Sequence, residues 1–369
     1  MKEKEAAVRT AVAGGKKKRS KKLRVLALCA AGIFAAALVL VLLHFYYCPL
    51  NFLWTKFSNP DIPPRQAGEL RVHFIDVGQG DAIVAELPDG KSMIVDAGGE
   101  AYASRSSLLR YVNALGIKKF DYLILSHPDE DHAGGMDDVL ACYGAEKAFI
   151  PYIVSFGADS SYADFLDRLS REGCDTEISS TYDAVLSEQA DAFYYFMILS
   201  PFESGVEGSY YDAANQDGAT DTDVNNASAV VWLEYAGRSV LLTGDIGEEV
   251  EEKLVSDYEA LGTSLFERER LTSWGERVTL APALEGLDFL KVSHHGSASS
   301  SSSAFLRLTS PEAAFVSVGA GNSYGHPAQE TVGRLNEIGA RIYRTDESGS
   351  IVLTIRSDGT YNIQTIGRN

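Results

Sequence analysis

The stretch SHPDEDHAGG, Ser126 to Gly135, follows directly on the apolar run YLIL, Tyr122 to Leu125. A short run of Leu and Ile that breaks into Pro, acidic residues and Gly reads as a buried strand passing through a turn into a helix. Four metal-ligating side chains, His127, Asp129, Asp131 and His132, project from that one turn. Isolated histidines are more often hydrogen-bonded structural groups, and acidic residues at a turn are more often helix caps. Crowding carboxylates together is costly unless a cation compensates, and the end of a strand is where an α/β sheet exposes functional groups. A metal centre is the expectation.

Further ligand types recur at the ends of later strand-like runs. Asp245 closes SVLLTGD, His294 and His295 close LDFLKVSHH, and His326 stands in NSYGHP. Five of the seven histidines therefore fall in three clusters behind strands. Strand grammar also marks LRVHFIDV, AIVAEL, SMIVDAGG, AVVWLEY, AAFVSVG and GSIVLTI. Helical spacing is expected over residues 104–117, 163–172, 248–261, 303–308 and 329–338. Mixed strands and helices on both sides of the middle imply an α/β sandwich. No GxGxxG follows a strand, so no nucleotide cofactor is expected. Residues 203–223 carry six acidic and no basic side chains and read as a mobile solvated loop. Asp217, Asp221 and Asp223 within it lack EF-hand spacing. Residues 261–286 read as a second insertion.

Residues 1–24 hold ten Lys or Arg against two Glu, and the rest of the chain holds 23 basic against 49 acidic side chains, a balance of −26 behind the net charge of −18. So acidic a body argues against broad electrostatic capture of nucleic acid. The basic tail, 1–24, leads into nineteen uncharged residues, Val25 to Leu43. A bilayer takes roughly 20 apolar residues as helix, so a transmembrane helix is expected over 25–47. The positive-inside rule keeps the tail cytoplasmic, and Tyr46, Tyr47 and Trp54 suit the opposite interface. The domain beyond would face outward. A cleaved secretory signal, with Ala35 to Ala37 as the processing site, is the competing reading. Residues 48–68, with NPDIPP, read as a stiff linker, and the soluble domain should run over 69–369. Cys142 and Cys174 are close enough in character to pair outside the cell, but free buried thiols are preferred.

The phrases HFIDVGQGDAIV (73–84), IVDAGG (94–99), LSHPDEDHAGG, NNASAVVWLEYAGRSVLLTGD (225–245), LKVSHHGS (290–297), NSYGHP (322–327) and YRTDESGSI (343–351) occur in an order that resembles the metallo-β-lactamase superfamily. The resemblance is specifically to the hydrolase domain of ComEC-type DNA-uptake proteins. It implies an αββα four-layer sandwich holding two divalent metal ions, Mn²⁺ or Zn²⁺, that activate water. His127, Asp129 and one of His294 and His295 would face one metal, Asp131 and His132 the other, and Asp245 would bridge. Asp129 and Asn225–Asn226 stand where many superfamily members have histidines, which enriches the first site in oxygen. Asp131, His294, His295 and His326 are the catalytic candidates, with His326 protonating a leaving oxygen or orienting a phosphate. Asp76, Gln79, Asp81, Asp96 and Asn225 would support the ligands from behind, and Ser297 and Asn322 would meet substrate. The implied activity is a membrane-anchored phosphodiesterase or nuclease acting on extracellular DNA, with DNA-uptake machinery as an implied partner. The single apolar span offers no channel, so transport is not expected. A small-ester, lactone or β-lactam hydrolase and a non-catalytic surface domain are the alternatives.

Overall fold

The computed structural model describes residues 2–46, 59–154, 157, 160–202, 205 and 209–367. The chain divides into two units, residues 1–53 and 54–369. In the first, one helix runs Lys2–Tyr46, so the basic tail expected as a separate segment is continuous with the apolar span. Lys21–Leu42 is long and apolar enough to cross a bilayer. Its 22 residues rise about 33 Å against a hydrocarbon core of about 30 Å. Tyr47, Trp54 and positions 48–58 of the expected linker lie outside the described residues.

The second unit is built from two large sheets. Its strands are β1 Leu70–Phe74, β2 Ala82–Glu86, β3 Ser92–Ala97, β4 Phe120–Ile124, β5 Ala145–Ile150, β6 Asp175–Ile178, β7 Ala184–Leu186, β8 Tyr194–Ser200, β9 Val230–Tyr235 and β10 Arg238–Leu242. They continue with β11 Arg268–Leu271, β12 Arg277–Leu280, β13 Phe289–Lys291, β14 Ala313–Val316, β15 Arg341–Arg344, β16 Ser350–Ile355 and β17 Tyr361–Ile366. The first sheet has the order β17-β16-β1-β2-β3-β4-β5-β6 and the second β15-β14-β13-β10-β9-β8-β7, while β11 and β12 form a separate hairpin within the expected insertion 261–286. In each sheet an antiparallel meander, β1–β3 or β8–β10, runs into parallel strands, β4–β6 or β13–β15.

Side chains alternate across a strand, and the period assigns the layers. Leu70, Val72 and Phe74 of β1, Val231 and Leu233 of β9, and Phe315 of β14 share the core between the sheets. Phe74 stacks on Phe315 across it, with centroids 4.2 Å apart. Trp232, Leu241, Leu290 and Ala314, of opposite parity, pack with Val250, Leu254, Phe305 and Leu306 from the helices Glu248–Leu261 and Ser303–Thr309. On the far side, His73 of β1 meets Tyr111 of the helix Tyr102–Leu115 (3.1 Å). The result is the αββα sandwich. Burying one such Leu or Phe stabilises by roughly 1.5–3 kcal/mol.

Two expectations need correction. The stretch 203–223 is not a bare loop where it is described: it forms the helix Tyr210–Ala214, with Tyr211 fully buried, and starts the helix Asp221–Asn226. Thr220 and Asp223 close a capping box there, so the acidic residues serve local helix starts. Cys142 is disulfide-bonded and Cys174 is a free thiol. The two do not pair with each other, and Cys142 is not the free thiol expected.

Candidate metal centre

The first wall of the site is the turn after β4. Asp96, at the end of β3, takes a left-handed backbone (φ 58°) that turns its carboxylate under this turn. Oδ1 accepts from Ser126 N (2.7 Å), and Oδ2 accepts from Ser126 Oγ (2.7 Å) and His132 Nδ1 (2.8 Å). His132 is thereby held with Nε2 facing the cavity. Ser126 Oγ, its proton given to Asp96, accepts from His127 Nδ1 (3.0 Å). His127 Nε2 is left as a buried lone pair with no hydrogen-bond partner, 3.7 Å from Asp129 Oδ2. The DVGQGD loop braces this wall through its backbone: Asp81 N donates to Asp131 O (3.1 Å). A Cβ at Gly80 (φ 120°) would lie 2.2 Å from that same oxygen, so only glycine fits.

The second wall comes from the other sheet. Because β10 and β13 are parallel, Asp245 and the pair His294–His295 emerge at the same end. His294 and His295 both adopt left-handed backbone (φ 48° and 52°), each at an expected cost of about 1–3 kcal/mol. That strain aims both rings inward. His295 Nδ1 donates to Ser317 O (2.9 Å), so Nε2 again faces the cavity. Asp245 stands between the walls, with Oδ1 3.3 Å from His132 Nε2 and Oδ2 3.3 Å from His295 Nε2. His295 Nε2 is also 3.2 Å from Asp131 Oδ2 and 3.2 Å from His132 Nε2. His294, partly exposed, reaches within 3.8 Å of Asp245 Oδ2.

Ligating atoms of Asp81, His132, Asp245 and His295 all lie within 4.8 Å of one another. Burial opposes charge on His132 and His295, yet Asp245 above all, with Asp96 beside His132 and Asp131 beside His295, overcomes it. His132 rises well above the usual imidazole value and His295 is pushed up to about 10. Burial likewise opposes ionisation of Asp131 and Asp245, but the facing histidines hold both below the usual carboxylate range. Protons here occupy a place suited to a cation. The donor set, neutral imidazole Nε2 atoms with carboxylates and an orphaned His127 Nε2, fits divalent metal of the first-row type.

The supporting residues divide. Asn225 donates through Nδ2 to Asp129 Oδ2 (3.1 Å) and to Asp221 O, so the helix with the capping box delivers it to the first site. Asn226 instead accepts from Gly247 N (3.0 Å). Gln79 Oε1 accepts from Gly319 N (3.3 Å), tying the DVGQGD loop to the loop after β14. Asp76 faces away: its Oδ1 accepts from Gly78 N and its carbonyl accepts from Ser107 Oγ. The two residues expected at the substrate both make hydrogen bonds within their own loops. Asn322 is occupied in shaping its own loop, accepting from Tyr324 N and His326 N and donating to Gly319 O and His326 O. Ser297 Oγ pairs with Ser299 Oγ (3.0 Å) inside the serine-rich turn, and Ser302 caps the following helix through Phe305 N. His326 lies edge-on to His294, centroids 5.6 Å apart, and its Nδ1 is buried without a partner. Burial and the neighbouring His294 and His295 hold its pKa below the usual imidazole value.

Sequence reasoning passed over Lys291. It is fully buried, and Nζ contacts Asp81 Oδ2, with Asp245 Oδ1 at 3.6 Å. The signal was a lone Lys inside the apolar run FLKV immediately before the histidine pair. Beside the first wall opens a cavity of about 570 Å³ bordered by Val77, Gly99, Asp129, Glu130, Asp131 and the exposed Tyr324.

Two packed sheets with a His/Asp centre at their common edge define a metallohydrolase-type fold. The chain belongs to the metallo-β-lactamase superfamily, whose family profile matches residues 75–320. It is similar to ComE operon protein 3 of Bacillus subtilis (strain 168), 27% identical over 318 residues, which cover 82% of this chain and 35% of that protein. It is also 27% identical over 293 residues to Competence protein ComA of Neisseria gonorrhoeae, covering 79% of this chain and 33% of that one. The chain thus spans about a third of the length of these curated relatives. Among solved structures, Igni18, a metallo hydrolase from Ignicoccus hospitalis KIN4/I, aligns with TM-score 0.42 and 13% identity over 77% of this chain and 98% of that one.

Proposed function

We propose that this protein is a membrane-anchored, metal-dependent phosphodiesterase that cleaves DNA on the outer side of the membrane. The observation that carries the reading is the convergence of His127, Asp129, Asp131, His132, Asp245 and His295 from two sheets, with the imidazole Nε2 atoms turned inward. His127, Asp129 and His294 would hold one divalent ion, Asp131, His132 and His295 a second, and Asp245 would serve both. Bound divalent cations lower the pKa of a ligated water toward about 7 and neutralise phosphoryl oxygens.

The chain's own residues supply the rest. Asp96 and Ser317 hold His132 and His295 in the tautomer that presents Nε2. His326, neutral at pH 7 because its pKa is lowered, offers an N–H to orient a phosphate oxygen and is a poor proton donor at that pH. The cavity beside Asp129 and Asp131 is open enough for a chain-like substrate, and exposed Tyr324, stacked on His326 (5.7 Å), gives a base a flat surface. The DNA assignment draws on the competence proteins among the relatives. The acidic body implies weak capture, with attraction focused at the cations.

The test uses the full chain in detergent with labelled single- and double-stranded DNA, Mn²⁺ or Zn²⁺, beside Asp245→Asn. Metal-dependent cleavage lost in the variant is expected. Hydrolysis of β-lactams or lactones with DNA and simple phosphodiesters left intact would replace this reading by the small-ester one.

A further inference from the structure

Lys291 ends β13, and its parity matches Phe289, whose ring lies in the core between the sheets. Its stem therefore runs up that core and delivers the ammonium beneath the metal-facing carboxylates. Nζ donates to Gly244 O (3.1 Å), is in ion-pair contact with Asp81 Oδ2, and lies 3.6 Å from Asp245 Oδ1. Asp81 Oδ1 is buried with no hydrogen-bond partner, Asp81 Oδ2 is met by the ammonium, and Asp245 Oδ1 faces the ammonium and His132 Nε2. Among the described residues no other Lys or Arg is paired with these carboxylates. Lys291 is fully buried, a position a lysine almost never takes unless it is paired.

Asp81 thus has two claims on it. Its distance from His132, Asp245 and His295 qualifies it as a metal ligand, yet the ammonium already engages it. Charge counting favours the ammonium. Asp81, Asp96, Asp129, Asp131 and Asp245 against Lys291 leave four negative charges, the number that two divalent ions neutralise when the histidines are neutral ligands.

We propose that Lys291 is a resident cation of the centre, which keeps Asp81 out of the coordination shell and holds Asp245 Oδ1 from below, so that divalent ions are confined to the histidine side. This rests on the metal-centre reading given under Proposed function. Removing the ammonium then hands Asp81 to the metals. The charge surrounding them becomes more negative and their affinity rises.

The experiment is calorimetric titration of the chelator-treated full chain in detergent with Mn²⁺, comparing wild type, Lys291→Met and Lys291→Met/Asp81→Asn. Methionine keeps the unbranched stem and removes the charge. The proposal expects Lys291→Met to bind Mn²⁺ at least tenfold more tightly or to take up an additional ion, and the added Asp81→Asn to return binding to the wild-type level. Unchanged or weaker binding in Lys291→Met, or tighter binding that Asp81→Asn does not reverse, overturns it. If Lys291→Met does not fold without metal, folding restored by Mn²⁺ or by Asp81→Asn supports the pairing. Failure of both to restore it overturns the proposal and makes Lys291 a packing residue. Wild type that binds no Mn²⁺ or Zn²⁺ defeats the metal-centre reading itself, a result distinct from wild type that binds ions with Lys291→Met indistinguishable from it.

Discussion

The two walls of the centre are built on the same plan and differ in how they are written into the chain. Each sheet runs an antiparallel meander into parallel strands, and each presents a Ser-His pair behind a parallel strand, Ser126-His127 after β4 and Ser293-His294 after β13. The first wall packs four candidate ligands into one turn, with Asp96 fastened beneath it by three hydrogen bonds. The second gathers Asp245, Lys291, His294 and His295 from two strands far apart in sequence and relies on strained left-handed backbone at both histidines. A compact wall is stabilised locally. A dispersed wall depends on the whole sandwich and contributes the only buried ammonium described at the centre.

Breaking the dispersed wall should have the largest effect. Asp245→Asn removes a carboxylate that faces both His132 and His295, and metal-dependent phosphodiester hydrolysis is expected to fall by at least about 100-fold, more than the loss typical of an outer-shell partner. Initial rates against a chromogenic phosphodiester check it. Next comes the support of the compact wall: Asp96→Ala frees His132 Nδ1 and should weaken metal affinity about 10–100-fold, read by titration against a chelating dye.

The electrostatics that join the walls give a pH signature. In chelator-treated protein, His295 holds its proton to about pH 10 and His132 well above its ordinary value, whereas an unfolded imidazole titrates near pH ~6.5. A raised folded pKa stabilises fully below the unfolded value and stops stabilising as pH rises through the folded one. Metal-free protein should therefore lose thermal stability between about pH 6.5 and 10, while metal affinity rises over the same interval because coordination displaces those protons. Differential scanning with and without metal measures both. A flat metal-free profile would mean the histidines are not coupled to Asp245. The smallest effect is expected at an exposed helix start. Thr220→Ala breaks the capping box that starts the helix bearing Asn225 and should cost about 1 kcal/mol, seen in a denaturant midpoint, with rates little changed.

The same contrast explains what was legible in the sequence. The compact wall's candidate ligands lie within ten consecutive residues and could be picked out directly, Asp96 was expected behind them from the separate phrase IVDAGG, and the helix Glu248–Leu261 coincides with its expected span. Lys291 was marked only as a lone Lys in the apolar run FLKV; what it pairs with follows from β13 lying between β10 and β14, a fact of topology. Strands β6 and β17 were missed since edge strands need little apolar content: every residue of β6 is exposed. β5 carries an exposed Glu146 and a partly exposed Lys147, which mask its apolar end. Asn322 and Ser297, expected at the substrate, also enter the backbone turns that shape the site, a second role that polar residues in loops commonly take.

Metal content tests the central claim most directly. After dialysis against Mn²⁺ or Zn²⁺, the 369-residue chain should retain two divalent ions by elemental analysis, and Asp245→Asn should retain fewer. Retention of less than one ion, or equal retention by wild type and Asp245→Asn, would contradict a centre built across both walls.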